Sequence, residues 1–329
     1  MPEPTVSAPQ RPWSAADFPD CSIAEDAIIE ASVVEMGSGS QIGAGVRISA
    51  ATIKIGTGSR IERDTTIGGI HGPMTSFALG DQSMIGFANQ LLTSKFSMGD
   101  YGQLHNNGLH SGYEALTIGH NCWIGQQSIL NCTERLAIGN NVRIGTQSQL
   151  WTHVASGELL EGCTLFGQKP LALEDNVWIV GGAVISPGLT LGRNSIIMTG
   201  SVLTTSTEPF HTYAGVPARD VTDKLNFWKP QSIDEKAARV SEFISEFVAM
   251  YPQHEGHICV AETASDVVNA NAGDVIFLRS VEDWSPAAAA GVSLFDLTTK
   301  TYLKQRSAAE IDWIRWSVGY RARFVPRDF

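Results

Sequence analysis

Between Leu173 and Val202 the chain repeats every six residues: LEDNVW, IVGGAV, ISPGLT, LGRNSI, IMTGSV. Leu173, Ile179, Ile185, Leu191 and Ile197 open the blocks and Leu203 keeps the beat. Val177, Ala183, Ser195 and Ser201 put a small residue in the fifth place. Six is a multiple of the strand period of two and not of the helical 3.6, so the opening residues of short strands face one way. A sustained hexad predicts a solenoid whose coils bury one another's aliphatic rows. A sandwich or barrel of short strands also spaces its turns regularly, but its strands are longer and lack the six-residue beat.

The beat begins at Ile23, slips before Met36, passes through Ile42 and Ile48, slips again to Ile55 and continues through Ile61 and Ile67. It blurs over Gly69–Ala78 and fits poorly from Met98 to Leu116, where LHNNGLHSG stands. It resumes at Ile118, slips near Asn131–Leu136, and breaks over Ser156–Ala172, which carries Gly157, Gly162, Gly167 and Pro170. That break predicts a loop thrown out of the coil. After Val221 the hexads stop. Ser232-Ile233-Asp234-Glu235 reads as a capping box, followed by Val240, Phe243, Ile244, Phe247 and Val248 on one helical face. His257–Glu262, Val275–Arg279, Val292–Asp296 and Arg321–Val325 read as strands, and Ser307 to Glu310 as the start of a second helix. The expected organisation is an irregular arm over residues 1–22, a solenoid over 23–221 with an excursion at 156–172, and a small α+β domain over 222–329.

Composition narrows the function classes. A net charge of −11 over 329 residues argues against a general nucleic-acid binder, which needs a clustered basic surface. From Lys300 onward seven basic residues face three acidic ones, a mild excess that suits a solvated face. The 32 glycines fit a fold with many tight corners. Five scattered cysteines without a CxxC pair speak against a disulfide framework or a thiolate zinc site. The opening MPEPTVSAPQRPW lacks a signal-like apolar core, and no apolar run reaches the length of a membrane span. These features lead us to expect a cytoplasmic protein.

LWTHVA, then NVWIVGGAVISPGLTLGRNSIIMTGSVLT, then YAGVPARDV together resemble the hexapeptide-repeat acyltransferases, in particular the sugar O-acetyltransferase branch that includes galactoside acetyltransferase. The likeness is strong over Ile118–Val221 and rests on the repeat alone over Ile23–Ala115; residues 222–329 match nothing. It implies a mainly β chain, a left-handed parallel β-helix followed by the small α+β domain. It also implies a homotrimer with sites in the clefts between neighbours, acetyl-CoA as acyl donor, a sugar or glycan acceptor, and no metal.

The resemblance carries over residue by residue. His153 matches the catalytic histidine, and an imidazole can take up and return a proton near neutral pH. Glu158 and Glu161 are candidates to orient it. Asn131 matches an acceptor-binding asparagine, or is a left-handed corner residue, and Trp151 would stand beside the acceptor. Outside the resemblance, Asn106, Asn107 and His110 would line the acceptor cleft, or simply satisfy a loop. Trp178 matches a tryptophan beside the pantetheine, or is a buried solenoid aromatic. Gly181, with Gly182 beside it, matches the backbone that holds the thioester oxygen, although Val180 replaces the usual glycine. Arg219 in Gly215-Val216-Pro217-Ala218-Arg219 would pair with a CoA phosphate, or ends the solenoid.

Two other classes compete. His71, His105 and His110 could serve as a zinc triad of the γ-carbonic-anhydrase kind, since His105 and His110 are separated by four residues. The solenoid could also be a trimeric scaffold without chemistry.

Overall fold

The computed structural model describes residues 13–155 and 157–327, in two compact units that meet between Phe227 and Trp228. In the first, short strands wind around three faces. One turn runs Trp123–Ile124 on the first face, Ile129–Asn131 on the second and Leu136–Ile138 on the third. Strands one coil apart pair in parallel. Ile124 lies between Leu104 and Ile144, Leu130 between His110 and Leu150, and Leu136 between Leu116 and Leu171. This is the left-handed parallel β-helix, followed by a small α+β unit, that the hexads and the resemblance led us to expect.

The beat residues form the core. Leu173, Ile179, Ile185, Leu191, Ile197 and Leu203 all point inward and are buried, as are the fifth-place Val177, Ala183, Ser195 and Ser201. Each fully buried Leu or Ile contributes about 1.5–3 kcal/mol, so the rows hold the coils in register. Corners follow local chemistry. Asn121, Asn141, Asn176 and Asn194 adopt left-handed φ values of 58° to 61°, which asparagine tolerates. Beside them a ladder of side chains accepts the backbone N–H one coil earlier. Asp100 takes that of Asp81 at 2.8 Å, His120 Nδ1 that of Asp100 at 2.9 Å, and Asn140 that of His120 at 2.9 Å. His120 is a corner group.

The expectation that the beat fails between Met98 and Leu116 is corrected. Met98, Leu104, His110 and Leu116 are spaced by six and all face inward, with an imidazole standing where an aliphatic residue belongs. His110 is 1% exposed, and among the described residues neither ring nitrogen has a hydrogen-bond partner. Burial pulls its pKa down to about 3. Its ring takes the space of the fifth-place side chain: Gly108 stands where other coils carry Thr65, Asn89, Ser128 or Ser148. A Cβ on Gly108 would lie 2.3 Å from His110 Nε2.

The second unit is a five-stranded sheet in the order Ile258–Val260, Val275–Leu278, Ser293–Asp296, Thr301–Tyr302, Val325–Pro326. The first three strands are parallel and joined through the short helices Ala264–Val268 and Ser285–Ala290, which the sequence did not reveal. Ser232 and Glu235 form the expected capping box at helix Ile233–Met250. Phe247 from that helix and Trp313 from helix Ala308–Ser317 meet edge to face at 5.4 Å in the core. The last strand starts at Val325 and not at Arg321. Among the described residues no helix is long and apolar enough to cross a membrane.

Candidate active site

His153 stands where the chain leaves the solenoid. After Gln149–Leu150 on the second face, Thr152 is buried in the corner. His153–Ala155 then pairs antiparallel with Phe166–Gln168. The hairpin closes where the Lys169 N–H meets the Thr152 carbonyl at 2.9 Å, and Leu171 re-enters the third face beside Leu136. The excursion therefore spans 153–169 and not 156–172: Leu171 and Leu173 are inward-facing core residues that reset the hexad. Leu159, Leu160, Leu165 and Phe166 on the hairpin are exposed to solvent in a single chain.

Around the imidazole the contacts are dense on one side. Asn131 Oδ1 lies 2.9 Å from His153 Nδ1, and Thr133 Oγ1 lies 3.0 Å from the same nitrogen. The Thr152 hydroxyl donates to Asn131 Oδ1 at 2.7 Å and accepts the Glu134 N–H at 3.0 Å. Trp151 meets the ring edge-on at 6.0 Å, its Nε1 held by Gln149 at 3.2 Å. Asn131 is buried, so the expected acceptor ligand turns its amide to His153. It is not a left-handed corner either. Glu158 and Glu161 are exposed on the hairpin, and the partner of the imidazole is Asn131 in their place. Thr133 and Thr152 were missed, because no sequence pattern marks a hydroxyl that reaches a histidine through a coil corner.

Cys132, next to Asn131, is fully buried, and burial pushes its thiol up to about 12. It stays protonated and is no nucleophile.

The other expected residues fall at another corner. Trp178 is 47% exposed on the outer side of the first face, which removes the alternative of a buried aromatic. Gly181 and Gly182 turn the corner between the first and second faces, whereas His153 lies at the corner between the second and third. Gly181 has a φ of 154°, a value that the residues at the same place in earlier coils, Gln126 and Thr146, do not share. Among the described residues its N–H has no acceptor. Along the next column the side chains of Gln127 and Gln147 are joined at 3.1 Å, and then two glycines follow, Gly182 and Gly200. Neither is glycine for want of room: a Cβ at either would meet nothing within 4 Å, and their left-handed φ of 57° and 70° is one that the two glutamines also adopt, at 58° and 60°. The corner simply lies bare. Arg219 is exposed on the final hairpin, and among the described residues no carboxylate pairs with it.

Two assignments are corrected. His110 lies inside the solenoid and cannot line an acceptor cleft, because it takes an inward place in the hexad. Asn107 is exposed, but it sits in the Gln127–Gln147 column and not at the His153 corner; its φ of 59° makes it a left-handed turn residue. The zinc triad fails for the same reason. His71 leans on Tyr113, His105 packs on Trp123 at 4.8 Å, and His110 is sealed in the core.

No family model matches the chain. It is similar to galactoside O-acetyltransferase of Escherichia coli, at 33% identity over 106 residues, 30% of this chain and 52% of that protein. A Schizosaccharomyces pombe protein provisionally named an acetyltransferase is 34% identical over 115 residues, 32% of this chain and 55% of that one. The chain thus spans about half the length of these relatives. A solved hexapeptide-repeat acetyltransferase of Vibrio cholerae, complexed with acetyl coenzyme A, is 23% identical, with a TM-score of 0.31, over 44% of this chain and 69% of its own. The resemblance read from the hexads and from AGVPAR agrees with these relatives.

Proposed function

We propose that the chain is an acetyl-CoA-dependent O-acetyltransferase acting on a hydroxyl of a sugar or glycan. The observation that carries this reading is the arrangement at His153: Nδ1 is engaged by Asn131 and Thr133, and among the described residues Nε2 has no hydrogen-bond partner. The acceptor hydroxyl gives its proton to Nε2 while its oxygen attacks the thioester carbonyl. The negative charge on the tetrahedral oxygen is held by the free N–H of Gly181. Collapse breaks the carbon–sulfur bond, and the proton passes from Nε2 to the departing thiolate. Transfer is direct, since Cys132 is protonated and enclosed.

One chain holds these parts on two separate edges of its second face, and that face favours a ring. On its later coils the outward row Leu109, Ile129, Gln149, Val184, Val202 is apolar at four of five places, whereas the earlier coils carry Arg47, Thr66 and Gln90 in that row. Over the same coils the outward row of the third face carries the smaller Thr117, Ala137, Ala172 and Thr190. Three copies turning the apolar face toward a threefold axis place the His153 edge of one beside the Gly181 edge of the next, a head-to-tail contact that closes. The exposed leucines of the hairpin then cover the cleft. The bare Gly182–Gly200 corner gives the pantetheine arm a path along the backbone, Trp178 flanks it, and Arg219 meets a phosphate.

Thiol release from acetyl-CoA in the presence of a panel of galactosides, glucosides and oligosaccharides tests this reading, with mass analysis of the acceptor for an added acetyl. Release that no acceptor stimulates would sink it. Gly182→Gln and Gly200→Gln test the path separately. Glutamine already occupies that column, so the fold should persist while the KM for acetyl-CoA rises about tenfold or more; an unchanged KM places the donor elsewhere.

A further inference from the structure

Resting on that reading of His153, we infer that Asn131, held in turn by Thr152, is a positioning residue that locks the imidazole with its proton on Nδ1, and is not a ligand of the acceptor.

The argument runs through donors that cannot reverse. The backbone N–H groups of Thr152 and Thr133 point at Asn131 Oδ1 from 3.3 and 3.4 Å, and the Thr152 hydroxyl reaches the same atom at 2.7 Å. An amide rotated by half a turn would set its NH2 against two N–H groups, so the atom facing them is the oxygen. Asn131 Nδ2 accordingly points to the Ser111 carbonyl at 3.5 Å. The oxygen then fixes the histidine. It lies 2.9 Å from His153 Nδ1, a distance at which two lone pairs would repel, so Nδ1 carries hydrogen and donates it. Thr133 Oγ1, 3.0 Å from Nδ1, is a second acceptor for that hydrogen. Nε2 is then the nitrogen that keeps its lone pair.

Three features separate positioning from acceptor binding. Asn131 is buried and its oxygen is already filled by protein donors. Thr152 is wholly buried and its hydroxyl bridges the Glu134 N–H to the amide, so it can act only through Asn131. Asn131, Thr133 and Thr152 also lie on successive coils at one corner, which ties the imidazole to the solenoid and not to the hairpin. A neutral amide here orients the ring without the charge that a carboxylate would add to the imidazolium.

Diethyl pyrocarbonate modifies only an unprotonated ring nitrogen, so its rate at His153, read by peptide mass mapping from about pH 5 to about pH 8, follows that histidine without any acceptor. Asn131→Asp keeps the accepting oxygen and adds a charge; the midpoint should move up by about 1 to 2 pH units. Asn131→Ala should lower kcat for acetyl transfer to a methyl glycoside about 10- to 100-fold, with the acceptor KM within about twofold. Thr152→Val should lower kcat several-fold and Thr152→Ser should restore it. An Asn131→Asp midpoint equal to that of the parent overturns the inference. So does an Asn131→Ala enzyme whose acceptor KM rises while kcat is kept. If Asn131→Ala does not fold, Asn131→Asp and the Thr152 pair still decide. Full activity in His153→Ala would defeat the base assignment instead, and the shifted midpoint in Asn131→Asp would still stand.

Discussion

Replacing His153 by alanine should lower acetyl transfer about 10²- to 10⁴-fold, the range that a positioned general base supplies. The loss should appear in kcat, with little change in the KM for acetyl-CoA, because the donor's proposed contacts lie at Trp178, Gly181 and Arg219 on another edge. Stability should fall little: the ring is half-exposed at the root of a hairpin, and the beat residues that hold the coil are untouched. The arrangement of two half-sites on opposite edges of one face adds a sharper expectation. A His153→Ala chain and a Gly182→Gln, Gly200→Gln chain, assayed at acetyl-CoA well below the raised KM where each alone turns over slowly, should regain about a quarter of parent activity when mixed as subunits, because the proposed cleft takes one edge from each neighbour. Thiol release before and after co-refolding reads this. No recovery would mean that each chain carries its whole site.

Acid should destabilise the protein through His110, and His110→Leu should remove that sensitivity. In the unfolded chain the imidazole titrates near its ordinary pKa of 6.5; in the fold it is held down at about 3. Between those values the unfolded state binds a proton that the native state refuses. Stability therefore falls as pH drops below 6.5, by about 1.4 kcal/mol for each pH unit, and the loss ends only below the folded value. At pH 4.5 that is roughly 2.7 kcal/mol per chain. Leucine matches the column, since Leu91 and Leu130 are the cross-strand neighbours of His110. It also removes two buried nitrogens without partners, a gain of about 1–3 kcal/mol at neutral pH. Melting curves of both proteins from about pH 4 to about pH 8 should diverge on the acid side. Parallel curves would show that another group carries the acid sensitivity. Gly108→Ala offers a check on the packing, because its methyl would meet the imidazole; it should cost about 1–3 kcal/mol in the parent.

Much of this was legible in the hexads. A six-residue beat can bury its aliphatic rows only by stacking coils, so Leu173 to Leu203 already specify a solenoid and which residues point into it, while its three faces came with the resemblance. The excursion was found as a break in that beat, and His153 and Gly181 through the resemblance to the acyltransferases. The reading went wrong at LHNNGLHSG because hydrophobic pattern was the only guide. A histidine on an aliphatic beat looks like a broken repeat until the glycine two residues earlier is seen to make room for it.

The amino-acid order by itself determined what recurs: strand period, inward rows and the capping box at Ser232. These depend on neighbours within a few residues of each other. Only the tertiary structure decided which coil edges meet. Asn131 and Thr133 reach His153, and Thr152 reaches Asn131, because a coil advances the chain by about 20 residues and returns it to the same corner, one strand spacing of about 4.8 Å higher. Gly181 and His153 ended on different edges because the corner between the first and second faces is not the one where the hairpin leaves. Local sequence cannot record that separation, since it depends on how many strands lie between the two corners.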